Sequence, residues 1–63
     1  MIANKFNGKF RCYERFVTAS GAEILLDADL YRHLRDAERE AVRRDPTATY
    51  KGLAVFHGTY RVC

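Results

Sequence analysis

Apolar residues recur at helical spacing in one stretch of the chain and alternate with polar ones elsewhere. In the stretch 27–45, Leu30, Tyr31, Leu34, Ala37, Ala41 and Val42 fall at the i, i+3/4, i+7 offsets of one stripe, with polar or charged residues between them. That spacing predicts a single helix over 27–45. Asp27 is placed as its N-cap, Leu26 and Tyr31 as a hydrophobic staple, and Asp45-Pro46 as its stop.

Before the helix the period is two. Asn7-Gly8 suits the positive-φ pair of a type I′ turn and predicts a hairpin of strands 2–6 and 9–18. Ser20-Gly21 marks a second turn, leading to a short strand 23–26. A two-residue loop there pairs Val17 with Ile24 and Arg15 with Leu26. A three-residue loop with a bulge reverses the faces, and the pattern leaves both open. After a loop at 46–52, residues 53–62 read as a final strand with a bulge or close approach at Gly58. The order is β-β-β-α-β, an α+β fold with one helix on one face of a three- or four-stranded, mostly antiparallel sheet.

Sixty-three residues make one small domain, 1–63, which buries only about 60% of the surface exposed by its unfolded chain. No linker, repeat or low-complexity tract divides it. Two cysteines, Cys12 and Cys63, are too few for a disulfide framework and form no C-x-x-C, so a reduced, cytoplasmic protein is expected. No apolar run approaches a membrane span, and the N-terminal residues lack a signal-peptide core.

The net charge of +3 is unevenly placed. Residues 27–45 carry six acids against five arginines, a balance of −1, whereas residues 1–26 and 46–63 each carry +2. The basic excess therefore lies on the strands.

One helix covers one sheet face, so the other should read polar. Here apolar and aromatic residues fall on both faces, which points to an interface, since tyrosine, phenylalanine and arginine are enriched at protein contacts. Arg11-x-Tyr13-x-Arg15 puts two guanidinium groups and a ring on one side of a strand. With Lys9 and Arg61 these are the expected partner-binding residues. Aromatic rings beside basic groups also suit single-stranded nucleic acid, the alternative reading, although no RNA-binding signature accompanies them.

Chemistry-bearing motifs are sparse. His33 and His57 have no nucleophile and acid at motif spacing, the four glycines are isolated, and Cys12, His33, His57 and Cys63 contain no pair at zinc-ligand spacing. No enzyme, metal or cofactor is expected. The expected partner is a protein or a ribonucleoprotein, with a homodimer or nucleic acid as alternatives and no membrane.

The tetrapeptide Phe56-His57-Gly58-Thr59, in a strand that follows a hairpin and a short helix, resembles a segment of small phage-encoded inhibitors of the anti-CRISPR type. The resemblance implies a non-enzymatic protein that blocks a bacterial defence complex. Many such inhibitors are acidic DNA mimics, from which the +3 charge departs. The resemblance assigns no binding residue.

Overall fold

The computed structural model describes residues 10–63. Its elements are β1 (Phe10–Val17), β2 (Glu23–Asp27), α1 (Leu34–Arg44), β3 (Thr49–His57) and β4 (Tyr60–Arg61). The fold is α+β: one helix against a four-stranded antiparallel sheet of order β2-β1-β3-β4. Lys9, the strand expected at 2–6 and its Asn7-Gly8 turn lie outside the described residues.

The β1–β2 turn takes the three-residue form. The Gly21 N–H donates to Thr18 O and the Thr18 N–H to Ala22 O, each at 2.9 Å, while Gly21 adopts φ +89°. A left-handed residue at the end of a three-residue loop is the usual G1-bulge solution, and glycine adopts it without a Cβ penalty. The register becomes Phe16↔Ile24 and Glu14↔Leu26. Phe10, Cys12, Glu14 and Phe16 therefore share one face with Ile24 and Leu26, and Arg11, Tyr13, Arg15 and Val17 share the other with Glu23, Leu25 and Asp27.

The helix begins seven residues later than its periodicity suggested. Asp27 ends β2 instead of capping α1: its Oδ1 accepts the Asp29 N–H at 2.8 Å, and its carbonyl accepts the N–H groups of Leu30 and Tyr31. This is an Asx-type turn, which a short carboxylate supports as readily as an N-cap. The cap position passes to His33, whose carbonyl starts the helical ladder without any side-chain cap. Leu30, expected on the buried stripe, is 77% exposed. The C-terminal boundary is where proline dictates, with Asp45 extended at φ −153° before Pro46. The Asp45 carboxylate accepts from the Thr47 N–H and hydroxyl, and Thr47 Oγ1 accepts the Ala19 N–H, tying the helix exit to the β1–β2 loop.

The final strand is longer at its start and folds back near its end. Thr49 rather than Leu53 opens β3, and Gly58-Thr59 makes a two-residue turn into β4. Gly58 has φ +68° at the first central position, as a type II′ hairpin requires.

Ala37 and Ala41, both fully buried, let α1 approach Phe16 and Leu26 closely, with Ile24, Tyr31, Ala48 and Tyr50 around them. At 11 residues the helix is about 16 Å long, whereas the nine residues of β3 span about 30 Å. The helix thus covers only one end of its sheet face.

Candidate binding surface

The sheet face away from the helix carries Arg11, Tyr13, Arg15 and Arg61, four of the five residues expected to meet a partner. The structure brings them together and gives each guanidinium an acid. Arg11 donates to Asp27 Oδ2, and Arg15 Nε to Glu23 Oε2. Arg61 forks onto Glu23, with NH1 to Oε1 and NH2 to Oε2 both at 2.9 Å, and lies over the Phe56 ring at 5.7 Å. The two N–H groups of Arg61 pin the Glu23 carboxyl, and Arg15 adds to this, so its pKa falls to about 2. Asp27 is lowered for the same reason, chiefly by the hydrogen bond from Arg11 and then by the Asp29 N–H.

Glu23 belongs to one edge strand and Arg61 to the other. In a flat sheet those strands sit about 14 Å apart, so their direct contact reports a strong curl toward this face. Inside the curl Ala54 is fully buried and Tyr13 packs edge-on to Phe56, at 5.4 Å between ring centroids. These residues close the molecule on itself, and the five charges that the described residues place on this face sum to +1.

The exposed apolar surface lies on the helix side, past the end of the helix. Phe10 is opposite His57, Cys12 opposite Val55 and Tyr60 opposite His57, so their side chains share one face. The Val62 N–H donates to Val55 O at 2.8 Å, carrying the chain on beside them. Phe10 is 65% exposed, Tyr60 72%, and Leu53 and Val62 50% each. The Phe10 and His57 rings stack at 4.4 Å with 16° between their planes. Among the described residues, no Asp, Glu, Lys or Arg stands between Phe10 and Tyr60 on this part of the face. The period-two pattern signals these residues as apolar, but only the short helix leaves them open.

No protein-family model, curated protein or solved structure matches the chain.

A third feature is a cleft of about 440 Å³ beside the helix, between α1 and the start of β3. Phe16 and Tyr50 form its aromatic base, with ring centroids 5.2 Å apart. The Tyr50 hydroxyl donates to Glu14 Oε1 at 2.7 Å, a bond to a carboxylate that raises the tyrosine pKa.

The remaining reactive side chains are dispersed. His33 holds the N-cap position of α1 without a side-chain bond to the helix, and His57 stacks on Phe10; Cys12 lies on β1 and Cys63 follows β4, with β3 between them, and both thiols are free and exposed. Among the described residues, no group of three or more His, Cys, Asp or Glu side chains is placed to hold a metal ion, and no helix is long and apolar enough to cross a membrane.

Proposed function

We propose that this chain is a small non-enzymatic binding protein that occupies a surface of a larger protein or ribonucleoprotein through the apolar end of its sheet. The observation that carries the reading is the exposure of Phe10, Tyr60 and Val62 on one stretch of sheet, with Leu53, opposite Glu14, at its inner border. Burying such rings is strongly favourable, and aromatic residues are the usual anchors of protein contacts. The class of target comes from the Phe56-His57-Gly58-Thr59 resemblance: an inhibitor directed at a bacterial defence complex. Of those four residues, Gly58 and Thr59 form the turn at this same apolar end and His57 borders it.

The nucleic-acid alternative has less support, because Arg11, Arg15 and Arg61 already bind carboxylates of their own chain. Phosphate contacts at this face would have to displace them.

Affinity capture from a lysate of the source cells, with the chain and with Phe10→Ser combined with Tyr60→Ser, tests the reading. A larger protein retained by the first and lost by the second supports it. A wild-type dimer closed over this face, converted to monomer by the double substitution in light scattering, overturns it, since a second copy then takes the surface.

A further inference from the structure

The cleft beside α1 is separate from the apolar sheet end and has its own chemistry. Its helical wall is formed by Arg35, Arg39 and Val42, spaced so that all three line one side of the helix, and its far wall by Ala48 and Tyr50. Arg35 makes no ion pair among the described residues. Arg39 has only Asp36, at 3.8 Å, with both side chains largely in solvent. Glu38 also lines the cleft, yet it pairs with neither arginine, and the rim sums to +1. Elsewhere Glu23, Asp27 and Glu40 hold five of the other arginines. The cleft rim is thus where cationic groups remain available beside an apolar base.

We infer that this cleft is a docking site for an acidic peptide segment that inserts one bulky apolar side chain. The volume lies within the range of ligand pockets and suits a single anchor resting on Tyr50, Val42 and Ala48. Arg35 and Val42 are seven residues apart, about 10.5 Å along the helix, which an extended peptide spans in about three residues. The fitting segment therefore carries its carboxylates about three residues from the anchor, where guanidinium groups can fork onto them. A basic segment meets the same two arginines unfavourably. This inference stands on the cleft alone, independently of the sheet-end surface.

The test is a titration of the isotope-labelled full chain, followed by amide NMR. The probe is a short capped peptide with two aspartates placed three residues before a Phe-Leu pair, and a second peptide carries lysines in place of the aspartates. Saturable shifts at Val42, Ala48 and Tyr50 are expected with the acidic probe, with affinity at least about tenfold weaker for the lysine peptide and for Arg35→Glu combined with Arg39→Glu. Both arginines are exposed, so the variant keeps its fold, which its amide spectrum verifies. Equal affinity for the two peptides overturns the inference, as does an absence of shifts at the cleft. Shifts confined to Phe10, Leu53 and Tyr60 also overturn it while leaving the sheet-end surface standing.

Discussion

Arg61 and Glu23 are 38 residues apart in the chain and on opposite edge strands, yet they form a forked ion pair that holds the sheet curled over Ala54. Because Glu23 has its pKa lowered in the folded state, it contributes stability above the ordinary carboxylate range. That contribution disappears as pH falls from about 4.5 toward about 2. Unfolding followed by circular dichroism across this window should show declining stability, and Glu23→Gln should flatten the decline. Asp27, Glu40 and Asp45 are lowered as well, so part of the slope remains in that variant.

Leu30 distinguishes the short helix from the long one. A leucine on the buried stripe costs about 2–5 kcal/mol when cut to alanine. At 77% exposure, Leu30→Ala should change stability by no more than about 0.5 kcal/mol in denaturant titration.

Ala41 meets the opposite constraint. It is fully buried where α1 crosses the sheet, so Ala41→Leu overpacks the contact and should destabilise by about 1–3 kcal/mol. Phe16→Ala removes the largest buried ring and should cost about 3–5 kcal/mol. In a domain of this size that leaves much of the chain unfolded, read as a lost cooperative thermal transition.

Much of the architecture is legible in the chain. The stripe through Ala37 and Ala41, the stop at Asp45-Pro46 and the turn at Ser20-Gly21 each follow from local geometry. Asp27 misleads because a strand-end Asx turn and a helix cap use the same short carboxylate in the same way. Gly21 announces a turn but suits loops of either length, and the choice decides which face every strand residue takes. The grouping of Arg11, Tyr13 and Arg15 on one face follows from period two; their carboxylate partners do not, because Glu23 reaches Arg61 only through the curl of the whole sheet. The open apolar end is equally non-local, arising from the mismatch between an 11-residue helix and a nine-residue strand.

The arginine face gives a prediction about nucleic acid. With Arg11, Arg15 and Arg61 bound to Asp27 and Glu23, retention on single-stranded oligonucleotide resin at physiological salt should be weak. It should also change little in Arg11→Glu.

The sheet-end contact is tested most directly by site-specific photo-cross-linking, with a benzophenone amino acid placed at Tyr60 in one sample and at Arg32, an exposed control, in another. The expected result is one adduct with a larger protein from Tyr60, absent from Arg32 and suppressed when Phe10→Ser is added. Equal adducts from both positions, or none from Tyr60, would contradict it.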